Sequence, residues 1–373
     1  MSGLYLHIPF CKKACHYCNF HFSTSVKNKG AMVNAIIEEI KLHKDYLEDK
    51  TLNSIYFGGG TPSLLSEMEL NSIFETIHKV YTVAEDAEIT LEANPDDLNE
   101  EQLTVLRKSN VNRLSIGVQS FHEADLLFMN RAHNSKEALH CIKAAQDAGF
   151  PNLTIDLIYG VPGMTNDLWK KNLEIFQGLD VPHLSSYCLT VEEGTALHHF
   201  VEKGKAPPVD EQRAAQQFEL LMDFAEQQNY LHYEISNFAK VGHIAKHNTA
   251  YWQGTPYLGL GPSAHSYNRT SRQWNVANNA KYMKAIGGGR LPFEKEELDT
   301  TNQYNEYLLT RLRTQWGVEL KDLEKIAPEY VNGFSEKIVN LEQEGLVIKQ
   351  ENTWVLTRAG KLLADRISME LME

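Results

Sequence analysis

The sequence predicts an α/β protein: a partial (β/α)6 barrel followed by a C-terminal domain that is helical and winged-helix-like. Two observations predict this class. Before about residue 200, six short β-rich segments alternate with segments of helical periodicity, and such alternation produces parallel strands joined by crossover helices. After residue 299 the pattern changes to helices around one short hairpin. Six strand–helix units are too few to close an eight-stranded barrel, so we expect the barrel to be open.

The six predicted strands are rich in Ile, Leu, Val, Tyr and Thr, and Gly, Pro or Asn stands near most of their ends. They cover residues 4–8, 54–57, 88–92, 113–118, 153–159 and 183–189. Helices are predicted between them because apolar residues recur there at three- and four-residue spacing. These helices cover residues 31–46, 66–81, 135–148 and 165–179. The second opens with Ser66-Glu67-Met68-Glu69, which is the pattern of a capping box.

Three regions are predicted: the barrel at 1–205, a barrel extension at 206–298 and the C-terminal domain at 299–373. The extension begins with a capped amphipathic helix at 210–228 and continues as an irregular, aromatic- and glycine-rich stretch. The C-terminal domain is predicted to contain a helix at 332–344 and a hairpin formed by 346–349 and 353–356. Winged-helix domains often bind DNA, but this one has no concentrated basic face, so we predict a structural or interaction role.

Composition limits the classes of function. The chain has 373 residues, of which 42% are hydrophobic and 23% charged, as in soluble globular proteins. Its net charge of -13 predicts no nucleic-acid partner and no attachment to an anionic membrane surface. No apolar run approaches the roughly 18–20 residues of a membrane span, and the N-terminus does not have the pattern of a signal peptide. We therefore predict a cytoplasmic protein.

Three of the five cysteines crowd together as Cys11-Lys-Lys-Ala-Cys15-His-Tyr-Cys18, directly after the first predicted strand. Such a cluster in a reducing compartment favours metal binding over disulfides. Three thiolates can hold three irons of a [4Fe-4S] cluster, and the fourth iron is then free to bind a ligand. The alternatives are a structural zinc site completed by His16 or His21, and three inert cysteines.

Further candidate ligands stand at or near the ends of later strands. The run Gly-Gly-Gly-Thr-Pro at 58–62 ends the second strand, and glycine lets a backbone approach a ligand closely. Glu92, Gln119 and Asp156 lie in or after the next strands, and Arg131 follows Gln119. Parallel sheets collect ligand-binding groups at the carboxyl ends of their strands. Taken singly, each of these residues is also typical of a helix cap or a surface ion pair.

Together these motifs resemble the radical S-adenosylmethionine (SAM) superfamily, and within it the oxygen-independent coproporphyrinogen III oxidase-like branch, which belongs to porphyrin biosynthesis. The segments 5–11, 58–62, 117–120 and 156–162 carry this resemblance along with the cysteines. It implies a [4Fe-4S] cluster on Cys11, Cys15 and Cys18, whose free iron binds the amino and carboxylate groups of SAM. An electron from the cluster then cleaves the sulfonium to a 5′-deoxyadenosyl radical. Carried over by position, the cofactor-binding set is Tyr5, Tyr17, Gly59, Gly60, Thr61, Glu92, Gln119, Arg131 and Asp156.

Two departures weigh against coproporphyrinogen dehydrogenase activity. The oxidases carry a further cysteine two residues after the third, and Phe20 stands at that position here. They also have an N-terminal extension, whereas only four residues precede Tyr5. No catalytic residue is assigned. Radical decarboxylation of coproporphyrinogen III to protoporphyrinogen IX is kept as the alternative function.

A third feature favours a heme carrier. Residues 246–252, Lys-His-Asn-Thr-Ala-Tyr-Trp, are similar to the His-Asn-x-x-Tyr-Trp motif of the heme chaperone group called HemW. The resemblance implies that His247 ligates heme and that the protein transfers heme to apoproteins, with the cluster and SAM supporting either formation of a homodimer or the transfer itself. Neutral imidazole is a good axial ligand for heme iron. A packed, hydrogen-bonded histidine is the alternative for His247, and His243 or His265 are alternative heme ligands. A third hypothesis is a zinc-stabilised interaction protein.

Overall fold

The structure, a computed structural model, describes residues 2–373 and is built around a twelve-stranded sheet. At its centre, six parallel strands pair in chain order. They are β1 (Ser2–Ile8), β2 (Thr51–Gly59), β3 (Thr82–Ala93), β4 (Arg113–Gln119), β5 (Leu153–Tyr159) and β6 (His183–Cys188). All six predicted strands are confirmed, and β2 and β3 are longer than predicted because polar residues extend their amino ends.

Helices lie in the connections between consecutive parallel strands, as is usual for crossover connections. They are α1 (Lys29–Leu42), α2 (Glu67–Val80), α3 (Glu100–Lys108), α4 (Glu123–Phe128), α5 (Ser135–Asp147) and α6 (Asn166–Gly178). Short 3-10 turns cover Pro62–Leu64, Pro95–Asp97 and Pro328–Tyr330. The capping box predicted at Ser66 is confirmed, with its Oγ accepting from the Glu69 N–H. Asn134 and Glu137 form a second capping box at the start of α5.

The predicted extension is more regular than the sequence indicates. It contains α7 (Ala196–Glu202), α8 (Glu211–Gln227), β7 (Leu231–Glu234), β8 (Asn237–Ala239), α9 (Lys246–Trp252), β9 (Tyr257–Leu260), β10 (His265–Tyr267), β11 (Ser271–Asn275), α10 (Asn279–Gly287) and β12 (Phe293–Glu297). The prediction of an irregular stretch to about residue 290 is therefore wrong. Its short strands lengthen both edges of the sheet in the order β12-β11-β10-β9-β1 and β6-β8-β7. Strands of three to five residues carry too little periodicity to be recognised without their partners. The sheet ends at β12 and β7 and does not close.

The C-terminal region packs helices around a small antiparallel sheet of order β13-β15-β14. Its elements are α11 (Thr300–Leu312), β13 (Val318–Glu319), α12 (Leu320–Ile326), α13 (Val331–Gln343), β14 (Val347–Gln350), β15 (Thr353–Leu356), α14 (Arg358–Lys361) and α15 (Ala364–Leu371). The predicted hairpin is confirmed, and β13 adds a strand to it.

Two hydrophobic cores hold the molecule together. The larger includes buried side chains from Leu4 to Ile286, and the smaller runs from Tyr304 to Leu371. Ile235 packs against both. The predicted division at residue 205 stays a prediction. Within residues 2–373, no helix has the length and apolar composition needed to cross a bilayer.

Candidate metal and cofactor site

The three cysteines of the motif lie in one loop between β1 and α1, beyond the carboxyl end of β1. Backbone contacts hold the loop at both ends. The Cys11 N–H donates to the Ser23 carbonyl (3.0 Å), and the His16 N–H donates to the Met129 carbonyl (3.1 Å). The His16 Nδ1 also bonds the Phe128 carbonyl (2.8 Å). Because this ring nitrogen is engaged with the backbone, the role of His16 in the structure is to anchor the loop.

The spacing of the sulfurs fits a cubane better than a mononuclear zinc site. A tetrahedral zinc bound at about 2.3 Å holds its thiolates about 3.8 Å apart. Among the described residues, neither the three thiols nor any set combining them with His16 or His21 has all its ligand atoms within 4.8 Å. Burial raises the pKa of Cys18 to about 11, and the other two thiols add to the rise. The three thiols therefore share one loop but lie too far apart to bind one small ion together, as the corners of a [4Fe-4S] cluster require.

The glycine run after β2 lies against the start of the cysteine loop. The Gly60 N–H donates to the Ile8 carbonyl (3.0 Å). A Cβ at Gly60 would lie 2.7 Å from backbone atoms of Ile8 and Phe10. Gly59 has a φ of 101°, and a Cβ there would overlap the imidazole of His7. Both glycines are thus needed for the close approach of this turn to β1.

Thr61 and Asn94 connect the glycine run to the neighbouring strand. The Asn94 Nδ2 donates to the Thr61 Oγ1 (3.0 Å). The Thr61 side chain also opposes the rise that burial causes in the pKa of Cys11. Thr61 therefore lies near one of the proposed cluster ligands.

Two half-buried acids lie in the carboxyl half of β3 and at the middle of β5. Glu92 accepts hydrogen bonds from the Tyr56 hydroxyl (2.8 Å) and from the Gly59 N–H (3.2 Å). Asp156 accepts one from the Ser115 hydroxyl (3.3 Å). Burial raises the pKa of Glu92 to about 7 and that of Asp156 to about 6. No Lys or Arg among the described residues forms an ion pair with either acid, so the pair suits a ligand that brings positive charge.

Arg131 connects the cysteine loop to the strands. Its Nη1 donates to the Cys15 Sγ (3.1 Å), and its Nη2 donates to the Asn94 Oδ1 and the Gly117 carbonyl (2.6 Å each). Its buried Nε has no hydrogen-bond partner within residues 2–373. Gln119 ends β4 in the left-handed region, with a φ of 68°, and its amide turns back toward Gly117. The free N–H of Arg131 suits a carboxylate.

Two tyrosines complete the predicted set. The ring of Tyr5 stacks on that of Tyr56 with centroids 6.1 Å apart, and its hydroxyl lies 3.2 Å from the His7 Nδ1. Burial raises the pKa of Tyr17, and the positive charge of Arg131 opposes that rise. The structure thus brings all twelve residues predicted for the cluster and SAM into one region. Their roles as ligands stay predictions.

His247 lies beside this region, where α9 packs against β2 and the imidazole stacks on the ring of Tyr56 with centroids 5.0 Å apart. Its side chain is 2% exposed. The ring bonds the Ser54 hydroxyl through Nδ1 and the Tyr251 hydroxyl through Nε2, both at 2.8 Å. Both nitrogens are therefore occupied, which is the packed arrangement that was the alternative to heme ligation. Heme ligation by His247 stays a prediction, and it requires the ring to exchange one of these partners for iron.

The other two candidate histidines are more accessible. His265 is exposed on β10 and stacks on Trp274 with ring centroids 6.0 Å apart. His243 is half-buried in the turn after β8, where its N–H donates to the Lys240 carbonyl (3.0 Å). Neither forms a side-chain hydrogen bond with the described part of the chain.

The sequence analysis missed two residues of the site, Tyr56 and Asn94. Tyr56 positions Glu92, and Asn94 holds both Thr61 and Arg131. The signal that could have found Asn94 is its spacing, because it follows Glu92 by two residues and alternate strand residues share a face.

Known families match both ends of the chain. The model of the Radical SAM superfamily matches residues 5–174, and the model of the HemN C-terminal domain matches residues 298–363. The chain is 34% identical over 371 residues to the heme chaperone HemW of Bacillus subtilis, covering 98% of each protein. It is also 34% identical to the heme chaperone HemW of Lactococcus lactis, covering 98% of this chain and 96% of that protein.

Among solved structures, coproporphyrinogen III oxidase (HemN) from Escherichia coli, described as a radical SAM enzyme, superimposes with a TM-score of 0.86. The alignment covers 100% of this chain and 90% of the other, at 23% sequence identity. This likeness shows that the two chains share a fold, including the open sheet and the C-terminal helical region.

Proposed function

The chain belongs to the radical SAM superfamily and, within it, to the heme chaperone HemW family, and on that premise we propose that it binds heme and transfers it to apoproteins. The observation that carries this proposal is the end-to-end match to HemW proteins, which spans the barrel, the extension and the C-terminal region together. A shared barrel alone would indicate only the superfamily.

Cys11, Cys15 and Cys18 would hold a [4Fe-4S] cluster, and the donor set described above fits this cofactor. Arg131 orients Cys15, and its free N–H would meet the carboxylate of SAM. Glu92, fixed by Tyr56, would accept a hydrogen bond from the amino group of SAM. When bound, the cluster and SAM together supply one-electron chemistry, and an assay with coproporphyrinogen III distinguishes use of that chemistry from binding alone.

The alternative, coproporphyrinogen III oxidase, loses support at Phe20. The Phe20 side chain is 67% exposed. Phe20 follows the third cysteine by two residues, which is the position of the additional cysteine in the oxidases. An exposed phenyl ring cannot replace a thiol in metal binding or proton transfer. The fold shared with HemN does not separate the two functions.

Cluster binding is tested by anaerobic reconstitution followed by iron and sulfide analysis. We expect about four of each per wild-type chain and a large loss when any one of the three cysteines is replaced by alanine. Cys188→Ser is the matched control, because Cys188 is a half-buried thiol outside the loop. A spectroscopic change of the cluster on addition of SAM tests ligand binding to the free iron. Iron without sulfide would favour a mononuclear site instead.

Heme transfer is tested with the reconstituted protein loaded with ferric heme. We expect a heme-dependent enzyme, prepared without heme, to regain its absorption spectrum faster from this donor than from heme-loaded serum albumin. In a parallel reaction, coproporphyrinogen III with SAM and reductant should yield no protoporphyrinogen. Formation of that product would establish the oxidase function, and absence of heme binding would refute the chaperone.

The His247→Ala variant tests the predicted heme ligand, since loss of an axial imidazole changes the Soret band. An unchanged band would exclude His247.

Two further predictions belong to this proposal: a cytoplasmic location, checked by cell fractionation, and a homodimer, checked by light scattering.

A further inference from the structure

A large cleft separates the end of the sheet from the C-terminal region. Its volume is about 1620 Å³, which exceeds the roughly 300–1,000 Å³ of typical small-molecule sites. We call it the domain cleft. Its lining includes Tyr187, Phe218, Trp252, Tyr267, Arg269 and Lys361. Its volume thus exceeds that of a typical ligand site, and its walls offer flat aromatic faces on which a planar ring system can stack.

The charge of the domain cleft differs from that of the molecule. Six arginine and lysine side chains line it against five carboxylates, whereas the whole chain has 36 basic and 49 acidic residues. Three of these six cations form ion pairs with carboxylates, and Arg366 does so with Glu344 and Glu370. Arg272 pairs with Glu306, and Arg313 pairs with Asp365.

Lys361 is half-buried in the domain cleft and, unlike Arg272 and Arg313, is not paired with an acid. Its Nζ donates to the His232 Nδ1 (3.0 Å), and the His232 Nε2 bonds the Ile235 carbonyl (3.3 Å), so within residues 2–373 the hydrogen-bond partner of the ammonium is a neutral imidazole. Among the described residues, no carboxylate forms an ion pair with Lys361. Burial, with the nearby charge of Arg358, lowers the pKa of Lys361 to about 8. A desolvated ammonium without a counter-ion is costly, and an anionic ligand would relieve that cost.

We infer that the domain cleft binds the carboxylate-bearing edge of a planar tetrapyrrole, with Lys361 pairing with a propionate and the aromatic walls contacting the macrocycle. The inference rests on the proposed function, because that function supplies heme as the ligand. Three facts carry it together: the volume, the aromatic lining, and a half-buried ammonium that has no carboxylate partner within residues 2–373. An anionic ligand without a ring system would pair with Lys361 but would not stack on the aromatic walls.

The two ends of the motif at 246–252 are placed differently relative to the domain cleft. Tyr251 and Trp252 line the domain cleft, whereas His247 lies behind Tyr251 and is bonded to its hydroxyl. No histidine lines the cleft within the described chain. A macrocycle in the domain cleft therefore contacts α9 through its aromatic residues first.

The test is a titration of the full chain with ferric heme and with heme dimethyl ester, which lacks the carboxylate charges. Because hydrogen bonds to charged groups are the strong ones, we expect Lys361→Gln to weaken heme binding on the order of tenfold. The wild type should prefer heme to the ester, and Lys361→Gln should not. Lys361→Arg, which keeps the charge, should recover most of the preference.

A matched control is Lys143→Gln, which removes an exposed lysine from α5 on another face and should bind like the wild type. The pH supplies a second readout. Above pH 8, deprotonation of Lys361 should remove the wild-type preference for heme over the ester, while Lys361→Arg keeps it. Circular dichroism confirms that each variant is folded.

The outcomes separate the two proposals. If the wild-type chain binds no heme, the proposed function and this inference are both overturned. If it binds heme, but binds the ester equally well and is unaffected by Lys361→Gln, only the location in the domain cleft is overturned. Loss of preference in Lys361→Gln and its recovery in Lys361→Arg support the inference.

Discussion

At the scale of single residues, Glu92 shows how the site is prepared for a cation. It is half-buried, it accepts hydrogen bonds from Tyr56 and Gly59, and it forms no ion pair with a Lys or Arg among residues 2–373. Its pKa of about 7 is above the ordinary value of 4.5 because burial disfavours its charge. The folded, ligand-free protein therefore holds a proton on Glu92 below about pH 7, and a cationic ligand must displace that proton.

This protonation predicts the pH dependence of SAM binding. Only ionised Glu92 attracts a positive ligand, so the affinity should fall as the pH decreases below about 7, by up to tenfold per unit. Above pH 7 the contribution of Glu92 should be constant. Isothermal titration of the reconstituted protein with SAM, in steps of about half a pH unit between pH 5.5 and 8.5, measures this pH dependence. In Glu92→Gln the slope should be shallower and the affinity lower; an unchanged slope would show that Glu92 does not face the ligand.

Gly60 makes a second prediction, about the shape of the cysteine loop. Gly60→Ala would place a methyl group 2.7 Å from backbone atoms of Ile8 and Phe10, which cannot rotate away as a side chain can. We expect a loss of stability of about 1–3 kcal/mol and a reduced iron and sulfide content after reconstitution. Gly30→Ala is the control, because nothing lies within 4 Å of the place that its new methyl group would occupy. Normal cluster content in Gly60→Ala would show that the loop adapts.

At the scale of elements, α9 is fixed by a polar network at the base of the barrel. Glu88 on β3 accepts from the N–H groups of Lys246 and His247, so its carboxylate caps the helix. Its Oε2 also lies 3.8 Å from the Nε of Arg113, a side chain that is 1% exposed. Arg113 bonds Thr154 on β5. One acid thus joins the helix to neighbouring strands.

Removing that acid should destabilise the whole barrel. Glu88→Ala leaves the Arg113 charge buried without its partner, and breaking such a pair costs about 3–5 kcal/mol. Urea unfolding followed by circular dichroism measures the change. The double variant Glu88→Leu with Arg113→Met should recover much of the loss, because an apolar pair avoids the unpaired charge. Glu75→Ala, at an exposed position of α2, should change little; equal losses in both single variants would contradict the network.

The elements also show what a sequence can and cannot predict here. The six central strands are long, buried and flanked by turn residues, so local pattern sufficed for them. The cysteine loop was predictable because its three cysteines are close together in the sequence. By contrast, β9 pairs with β1 across about 250 residues of chain, and the engagement of His247 with Ser54 depends on that distant packing. Contacts between remote segments leave no periodic signal, so the hydrogen-bonded state of His247 could not be deduced.

At the scale of the whole molecule, the C-terminal region is docked onto the sheet by polar contacts. The Gln315 N–H donates to the Tyr233 carbonyl (2.9 Å). Arg358 pairs with Asp223 on α8 (2.5 Å), and Arg272 pairs with Glu306. Arg272 and Glu306 also line the domain cleft, so the position of the C-terminal region shapes the proposed heme site. A role in closing that cleft is consistent with the structural or interaction role predicted from the sequence.

The charge of the C-terminal region leads to the last prediction, that it does not bind DNA. Residues 299–373 contain thirteen Asp and Glu but nine Lys and Arg. Lys337 and Arg313 are already paired with Glu373 and Asp365. DNA binding requires cations that replace counter-ions along the phosphate backbone. At about 0.15 M salt, fluorescence anisotropy of a labelled duplex should therefore show no saturation up to roughly 100 µM protein, weaker than ordinary non-specific binding. Saturable binding that weakens steeply with salt would instead assign this region to DNA, and Lys361→Gln would then be expected to reduce it.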